Sequence, residues 1–323
     1  MKKIAVFTSG GDAPGMNACL RAVVRTGIAR GVEMYGVYRG YEGMIEGDIE
    51  PMQARDVSNI IQKGGTVLKS ARSEAFRTVE GRAEAFHQLE KRGIEGLVVI
   101  GGDGSFRGAQ VFHEEYGIRV MGCPGTIDND LFGTDHTIGF DTAVNTVVDA
   151  VDKIRDTATS HGRMFIIEVM GRDAGFIALH SGIVTGAEAI LIPETVTYID
   201  ELIELLKSGW NRKKSSAIVI VAEGDDAGGA FDVAEKVNER FDKYDTRVVV
   251  LGHIQRGGSP SAHDRLIGSR MGHSAIMELL AGRNCEMVGV VHNQIRFTPF
   301  SKATKFHTSI DHQLLDLAAV LSS

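Results

Sequence analysis

The sequence lacks the features that mark secreted, disulfide-rich and membrane-spanning proteins. Its three cysteines, Cys19, Cys123 and Cys285, are odd in number, widely spaced and placed in or beside apolar runs, so we expect buried, reduced thiols. Nowhere do eighteen apolar residues run together, and Met1-Lys2-Lys3 leads directly into an apolar stretch without a cleavage-like site. We therefore expect a soluble, cytoplasmic protein that is neither exported nor bound to a membrane.

Positive charge and proline are also scarce. The formal net charge of -7 argues against a general nucleic-acid surface, and it requires that anionic substrates be attracted by local clusters of arginine. Only 6 prolines stand against 39 glycines, and glycine is the residue that tight turns and close approach of the backbone to a ligand require. Many loops are therefore expected to take part in binding.

No linker rich in proline, serine or charge is present, and no internal repeat or low-complexity tract divides the chain. At 323 residues the chain is longer than one hydrophobic core usually serves, so we expect two lobes. The composition, 43% hydrophobic and 24% charged, is ordinary for a soluble globular enzyme.

Short apolar runs without polar alternation recur along the chain, and such runs are typical of strands covered on both faces. The predicted strands are Ile4–Thr8, Leu97–Ile100, Arg119–Cys123, Phe165–Val169, Ala217–Ala222, Val248–Leu251 and Met287–His292. Helical patterns lie between them, with Asp141 as the expected N-cap of one and with others at Glu201–Leu206 and Met271–Leu280. The alternation predicts an α/β fold with a doubly wound, mainly parallel sheet, whose ligands bind beyond the carboxyl ends of the strands.

Two motifs at strand ends point to phosphoryl transfer. Gly101-Gly102-Asp103-Gly104-Ser105 follows the apolar run Leu97–Ile100, and Pro124–Asp130 follows the next predicted strand. Glycines at these places allow backbone N–H groups to approach phosphates. Asp103 can hold a magnesium ion, and Asp128 is placed to take a proton from an attacking hydroxyl.

Each of these features also has a simpler interpretation. Asp103 can cap a helix that starts near Ser105. The sequence Asp128-Asn129-Asp130 can form a turn that binds only its own backbone, or a calcium loop, although the longer series of oxygen ligands ending in glutamate is absent. The loop Thr8–Gly15, ahead of a helix that begins near Met16, can hold a nucleotide phosphate or be a plain glycine turn, and it matches neither the P-loop nor the dinucleotide fingerprint.

A set of motifs in one order resembles the phosphofructokinase family from Ile4 to about Met287. The motifs are Gly10–Asn17, Gly64-Gly65-Thr66, Ser70-Ala71-Arg72, Gly101–Ser105, Pro124–Asp130, Met170-Gly171-Arg172 and Gly252–Gly258. The resemblance implies two Rossmann-like lobes with mainly parallel sheets. The larger, ATP-binding lobe would contain residues 1–138 and about 255–305, and the smaller, sugar-phosphate-binding lobe 139–254 and about 306–323.

The resemblance also implies a reaction, the committed step of glycolysis. The γ-phosphoryl group of MgATP would pass to the 1-hydroxyl of fructose 6-phosphate, giving fructose 1,6-bisphosphate and ADP. The expected catalytic residues are Asp128 as the base, Arg72 as the bridge to the transferred phosphoryl group, Thr126 and Arg172. The expected ATP contacts are Gly11, Tyr41, Arg72, Arg77, Gly102, Asp103, Gly104, Ser105 and Gly108, with Asp103 as the ligand of Mg2+. The expected fructose 6-phosphate contacts are Thr126, Asp128, Asp130, Arg163, Met170, Gly171, Arg172, Glu223, Arg247, His253 and Arg256.

In that family, Arg163 and Arg247 match residues that reach in from a neighbouring subunit, so the resemblance implies a homotetramer with shared active sites. A second anion site, for ADP or phosphoenolpyruvate as effector, matches Arg21, Arg25, Arg155, Gly186, Glu188, Arg212 and Lys214. Ala54 and Asn59 stand where the family usually has an arginine and an aspartate, so regulation does not follow from the resemblance.

Several alternatives remain open. Gly104 and Gly125 favour ATP as the donor, because pyrophosphate-using relatives tend to carry larger charged residues there, and a pyrophosphate-dependent enzyme is the rival interpretation. A catalytically silent nucleotide-binding regulatory subunit is another, although it would need neither Asp103 nor Asp128. Single residues have simpler interpretations as well: Tyr41 as a packing aromatic, His253 as a core histidine, Arg72 as a solvated arginine, and Arg21 with Arg25 as one exposed helix face.

Overall fold

The computed structural model describes residues 1–214 and 216–321, which divide into two compact units. Unit 1 contains residues 1–127, 131–142 and 256–308, and unit 2 contains 128–130, 143–255 and the C-terminal residues from 309. The chain therefore passes between the units several times. Ser322 and Ser323, the end of the expected smaller lobe, lie outside the described residues.

Unit 1 is built on one mixed, mainly parallel sheet. Its strands are β1 (Lys3–Thr8), β2 (Glu33–Val37), β3 (Ile49–Met52), β4 (Gly96–Gly101), β5 (Arg119–Thr126), β6 (Ile138–Gly139), β11 (Glu286–Val291) and β12 (Gln294–Pro299). They pair in the order β12-β11-β5-β4-β1-β2-β3, with β6 beside β5. Only the β11–β12 and β2–β3 pairs are antiparallel among the described residues.

Helices cover both faces of this sheet. They are α1 (Met16–Ala29), α2 (Gly40–Glu46), α3 (Val79–Arg92), α4 (Asp103–Tyr116), α9 (Ala262–Ala281) and α10 (Phe300–Ala303), and α5 (Phe140–His161) starts in unit 1. One face contacts α1 and α9, and the other carries an aromatic core that includes Phe7, Phe106 and Phe112. Every residue of β4 is buried, which explains why its sequence is apolar without alternation.

Unit 2 has a four-stranded, wholly parallel sheet in its described part. Its strands are β7 (Arg163–Val169), β8 (Ala189–Leu191), β9 (Ala217–Ala222) and β10 (Asp245–Val250), in the order β10-β7-β9-β8. Its helices are α5, α6 (Phe176–Thr185), α7 (Ile199–Asn211), α8 (Ala230–Asn238) and α11 (His312–Leu321). Strand β9 is buried throughout, whereas β10 is an exposed edge strand.

The predicted α/β class with mainly parallel sheets is confirmed, whereas Asp103 and Asp141, two candidate N-caps, both lie inside helices. Helix α4 begins at Asp103 with Gly102 as its N-cap, so Asp103 lies inside the helix and is not its cap. Helix α5 begins at Phe140, so Asp141 lies in its first turn. Cys19 and Cys123 are buried free thiols as expected, but Cys285 is only partly buried. Within the described residues, no helix has the length and hydropathy of a membrane span.

Candidate active site

Three predicted phosphate loops follow neighbouring parallel strands of unit 1. Strand β4 pairs with β1 on one side and with β5 on the other, in registers that bring Ile100 beside Thr8 and Gly101 beside Pro124. The residues that follow these strands therefore meet at one edge of the sheet, where doubly wound folds bind their ligands. Ser9 N–H donates to Ile100 O at 3.0 Å, which joins the first loop to the end of β4.

The first loop joins a predicted ATP contact to a predicted sugar contact. A Cβ on Gly11 would lie 2.4 Å from Nη1 of Arg256, so a larger residue at position 11 would displace that guanidinium. Arg256 Nη1 also donates to Asp12 O at 3.3 Å. The Arg256 guanidinium is therefore packed directly on Gly11.

The second loop gives α4 an acidic first turn. Asp103 lies at the N-terminus of α4, where the helix dipole favours a negative charge, and its Oδ2 is 3.2 Å from Nη2 of Arg107. A Cβ added to Gly104 would meet no atom of the described chain within 4 Å, so a side chain there would extend into open space. Packing does not explain this glycine, which leaves room for a ligand.

Gly125 has a different environment from Gly104. Its missing Cβ would lie 2.9 Å from Cε of Met16 and 3.1 Å from Cγ2 of Ile100, in the packed interior. A glycine that leaves room for the remainder of ATP therefore fits position 104, but it does not fit position 125, where an added side chain would point into the packed interior.

Tyr41 is a packing residue in this structure. Its ring stacks on Phe76 with centroids 3.9 Å apart, and its hydroxyl donates to Ser105 O at 2.6 Å. Burial raises the pKa of this phenol well above its ordinary value. A Cβ on Gly108 would lie 3.2 Å from the Tyr41 hydroxyl oxygen. These contacts account for both residues by packing, and their contact with ATP stays a prediction.

Arg72 and Arg77 are both exposed. Arg77 Nη1 lies 3.4 Å from Glu74 Oε2, in a well-solvated ion pair. In the part of the chain that the structure describes, the Arg72 guanidinium has neither a hydrogen bond nor an ion pair. Its charge is therefore available to an anionic ligand.

A second group of predicted residues follows the strands of unit 2. Met170, Gly171 and Arg172 come after β7, Glu223 comes after β9, and His253 comes shortly after β10. These three strands are parallel neighbours, so the group lies at one edge of the sheet.

Hydrogen bonds join these loops of unit 2. Glu223 Oε1 accepts from Arg172 N–H at 2.7 Å, and Gln255 Oε1 accepts from Met170 N–H at 3.2 Å. Arg172 has a left-handed backbone with φ 58, a conformation that is costly for a non-glycine residue and is common at functional sites. His253 is exposed, so the interpretation as a core histidine is wrong.

Arg163 and Arg247 lie away from this group. Arg163 begins β7, six residues before Val169, which corresponds to a separation of roughly 20 Å along the strand. Both arginines bind Asp245 Oδ2 at 2.9 Å, and the hydrogen bond from Arg163, with the charge of Arg247, lowers the pKa of that carboxyl. Unit 2 of one chain does not bring them to the Met170 edge.

The remaining predicted residues are Thr126 and the turn that follows it. Thr126 ends β5 and is 9% exposed, and its carbonyl accepts from Thr137 Oγ1 at 2.6 Å. A Cβ on Gly102 would lie 3.9 Å from Thr126 Cβ, so these two predicted contacts are neighbours in unit 1. Asp128 and Asp130, both half-buried, belong to unit 2 and flank Asn129, whose φ of 54 forms a tight turn.

Comparison with known proteins identifies the family. The model of the family described as Phosphofructokinase matches residues 3–279. The chain belongs to the phosphofructokinase family. An ATP-dependent 6-phosphofructokinase 1 of Thermus thermophilus is 55% identical over 322 residues, covering 100% of both chains. An ATP-dependent 6-phosphofructokinase 2 of Bacteroides thetaiotaomicron is 52% identical, covering 100% of this chain and 99% of the relative.

A solved phosphofructokinase structure from Saccharomyces cerevisiae has a TM-score of 0.90 and 38% identity with this family member. It covers 99% of this chain, which in turn spans 47% of the longer yeast chain. The predicted phosphofructokinase fold is thereby confirmed.

Part of the effector set predicted from the family forms one group in unit 2. Glu188, Arg212 and Lys214 line a small pocket beside Tyr244, and Lys214 Nζ lies 3.9 Å from Glu188 Oε1. Arg155 Nη2 donates to Gly186 O at 3.1 Å. Arg21 and Arg25 belong to unit 1, where Arg25 is exposed on α1.

The metal-ligating side chains of this family member suit a magnesium ion that arrives bound to a nucleotide. Over residues 1–214 and 216–321, no three His, Cys, Asp or Glu side chains form a group that could hold a metal. Magnesium is usually bound by one or two carboxylates together with substrate phosphates and waters. Asp103, a carboxylate beside glycine loops, fits that mode.

The sequence interpretation missed three buried polar residues that hold these loops. Asn17 bonds to the chain around residue 64, Gln255 joins Met170 to Gly252, and Asp264 accepts from Gly139 N–H and Thr142 N–H at 2.8 Å each. Burial raises the pKa of Asp264. Asn17 and Gln255 lie within quoted motifs, but nothing in one sequence reveals that their partners are backbone groups.

Proposed function

We propose that this protein transfers the γ-phosphoryl group of MgATP to the 1-hydroxyl of fructose 6-phosphate, giving fructose 1,6-bisphosphate and ADP. Support comes from relatives at 52–55% identity over the whole chain that are named ATP-dependent 6-phosphofructokinase. Family membership makes a phosphotransferase of glycolysis the matching activity, and we place it in the cytoplasm.

One observation carries the proposal. Glycine loops after β1 and β4 share a sheet edge with Thr126 at the end of β5, and Gly104 faces open space in one of them. Backbone N–H groups of such loops and the N-terminus of α4 suit phosphates. A large donor needs the space beside Gly104, so this feature favours ATP over pyrophosphate.

Residues of unit 1 would bind and polarise the donor. Gly11 and Gly102 in their loops and Ser105 in the first turn of α4 suit the phosphates, and Asp103 would hold the magnesium ion that arrives with ATP. That ion neutralises charge on the phosphate oxygens. Arg72, whose guanidinium has no partner in the described chain, would stabilise the charge of the transferred group.

Residues of the turn Asp128–Asp130 and of unit 2, together with Arg256 of unit 1, would act on the acceptor. Asp128 accepts the proton of the sugar 1-hydroxyl, whose oxygen forms the new bond to the γ-phosphorus while the bond to the leaving ADP oxygen breaks. Asp130 orients Asp128. Met170, Gly171, Arg172, Glu223, His253 and Arg256 would bind the sugar or its phosphate, with the arginines suited to bidentate contact.

Two further parts of the proposal concern assembly and regulation. Because Arg163 lies roughly 20 Å and Arg247, which pairs with Phe165, roughly 13 Å along the strands from the Met170 edge, we place them in the active site of a neighbouring subunit of a homotetramer. Unit 1 would bind ATP and contribute Thr126 and Arg256 to the sugar phosphate, and unit 2 would provide the other sugar contacts. The Glu188 pocket would bind ADP or phosphoenolpyruvate. We expect weaker binding than in family members that have an arginine and an aspartate where this chain has Ala54 and Asn59.

The choice of donor tests the proposal. Purified protein is supplied with fructose 6-phosphate and either MgATP or magnesium pyrophosphate, and formation of fructose 1,6-bisphosphate is followed through a coupled assay. We expect turnover with MgATP and at least about 100-fold less with pyrophosphate. Turnover with pyrophosphate alone would establish the rival enzyme, and nucleotide binding without turnover would establish the regulatory subunit.

A further inference from the structure

We propose that Asn17 and Thr8 are positioning residues for phosphoryl transfer, acting through the loop Lys63–Ser70 on Arg72. The inference rests on the proposed function, since it assigns Arg72 to the transferred phosphoryl group. Neither residue belongs to the predicted contacts of ATP, sugar or metal.

Asn17 connects α1 to the loop Lys63–Ser70 at three points. It is the second residue of α1 and is 1% exposed. Its Nδ2 donates to Lys63 O at 3.1 Å and to Gly64 O at 3.2 Å, and its Oδ1 accepts from Val67 N–H at 2.9 Å. One amide therefore satisfies polar backbone groups on both sides of the glycine pair.

Thr8 connects the end of β1 to the same loop. Its hydroxyl donates to Lys69 O at 2.8 Å, and the Thr66 hydroxyl lies 2.8 Å away. Since a hydroxyl has one proton and the carbonyl can only accept, Thr66 is the donor to Thr8. Lys69 has a φ of 60, a conformation that a non-glycine residue keeps only where its surroundings fix it.

These hydrogen bonds fix the backbone just before Arg72, from which its side chain extends. Ser70, at the end of the loop, donates from its Oγ to Gly10 O, so the loop is tied to the first phosphate loop as well. Arg72 follows two residues later, and its guanidinium has no partner in the described chain to hold it. The backbone of Lys63–Ser70 is thus the part of the protein that sets the position of this charge.

Such a role predicts a specific kinetic effect. Displacement of a charge-stabilising group by about 1 Å can cost on the order of 100-fold in rate with little effect on ground-state binding. We expect Asn17→Ala to lower kcat by about 10-fold to 100-fold, while the KM for fructose 6-phosphate changes less than about threefold. Asn17→Asp, which keeps the acceptor for Val67 but loses the donor, should lie closer to the alanine variant.

A double-mutant cycle separates positioning from general damage. If Asn17 acts through Arg72, then adding Asn17→Ala to Arg72→Ala should lower kcat by less than about twofold further. Equal losses in both backgrounds would overturn the proposal.

The matched control is Asn284→Ala. Asn284 Oδ1 accepts from Val120 N–H at 2.8 Å, at the start of β5 and hence at the opposite edge of the same sheet. We expect a lower melting temperature with kcat within about twofold of wild type. A fall of kcat equal to that of Asn17→Ala would show that only stability is at stake, and would overturn the proposal.

Two further measurements keep the test decisive. Should Asn17→Ala fail to fold, Thr8→Val, which removes the hydroxyl at equal size, is compared with Thr8→Ser, which keeps it. Only the valine variant should lose kcat.

Hydrogen exchange should rise in peptides covering residues 63–72 of Asn17→Ala and not of Asn284→Ala. Wild-type protein that transfers no phosphoryl group would refute the proposed function, whereas wild-type exchange in Asn17→Ala would refute the positioning role.

Discussion

Gly101 and Gly104 are three residues apart, but the reason for a glycine differs between the two positions. A Cβ on Gly101 would lie 2.5 Å from Ser9 O and 2.6 Å from Ser105 Oγ, so packing requires that glycine. Gly104 meets nothing in the described chain within 4 Å and has no positive φ. Packing therefore requires the glycine at position 101, whereas the glycine at position 104 is the one that we assign to ligand binding.

Replacing Gly104 by aspartate should impair donor binding without unfolding the protein. The new carboxylate would enter the space that we assign to ATP and repel its phosphates, so the KM for ATP should rise by at least about 10-fold. The melting temperature should stay within a few degrees of wild type, whereas Gly101→Ala should lower it. An unchanged KM for ATP in Gly104→Asp would contradict the assignment.

Residue identities alone predicted the loops but not the roles of all their side chains. The motifs predicted Gly102, Asp103 and Thr126 as site residues, and these three residues lie at the same edge of the sheet. Tyr41 was not separable from a packing aromatic, because stacking on Phe76 depends on residues distant in sequence. The backbone-binding roles of Asn17 and Gln255 depend on tertiary contacts in the same way.

At the scale of elements, an ion pair joins α3 to α4. Arg82, 9% exposed, donates from Nε and Nη2 to the two carboxylate oxygens of Glu115 at 2.6 and 2.7 Å. These hydrogen bonds lower the pKa of Glu115. A carboxyl with a depressed pKa stabilises the fold above its unfolded pKa, and this contribution is lost as pH falls through the folded value.

Glu115→Gln should therefore lower stability at neutral pH and change its acid dependence. The Glu115 side chain is 30% exposed, so screening limits the expected loss to about 1 kcal/mol. The difference from wild type should shrink below about pH 4, near the ordinary glutamate pKa. Urea unfolding at several pH values measures this difference in the free energy of unfolding, and Glu114→Gln is the control on the same helix. A difference independent of pH would contradict the role of the ion pair.

The sequence predicted buried elements better than exposed ones. Strands β1, β4, β7 and β9 match predicted runs because both faces are buried and the residues are continuously apolar. The edge strands β3 and β12 were not predicted, since their exposed residues interrupt that pattern. Helix α9 starts at Ala262, nine residues before the predicted segment, because its first half carries His263, Asp264 and Arg265.

At the scale of the whole molecule, shared active sites predict complementation between defective subunits. Subunits with Asp128→Ser lack the base, and subunits with Arg163→Ala and Arg247→Ala lack the charges that we place in a neighbouring site. Each homo-oligomer should be nearly inactive, while co-expressed mixtures should recover a sizeable fraction of wild-type kcat. Light scattering should give the mass of a tetramer. Mixtures with no recovered activity would contradict sharing through these arginines.

We also expect the proposed assembly to respond to ADP. Fructose 6-phosphate saturation curves are measured with and without ADP, for wild type and for Arg212→Ala. We expect ADP to shift the wild-type curve and to have a smaller effect on the variant, because Arg212 lines the Glu188 pocket. A wild-type curve that ADP leaves unchanged would show that Ala54 and Asn59 have removed the response.

The most direct test of the central claim is transfer of labelled phosphate by wild type and Asp128→Ser. With ATP labelled at the γ-phosphoryl group, wild-type protein should move the label to the 1-position of fructose 6-phosphate. The serine variant should bind both substrates with affinities within a few-fold of wild type, but transfer the label about 1,000-fold or more slowly. Label transfer by Asp128→Ser at the wild-type rate would contradict the account.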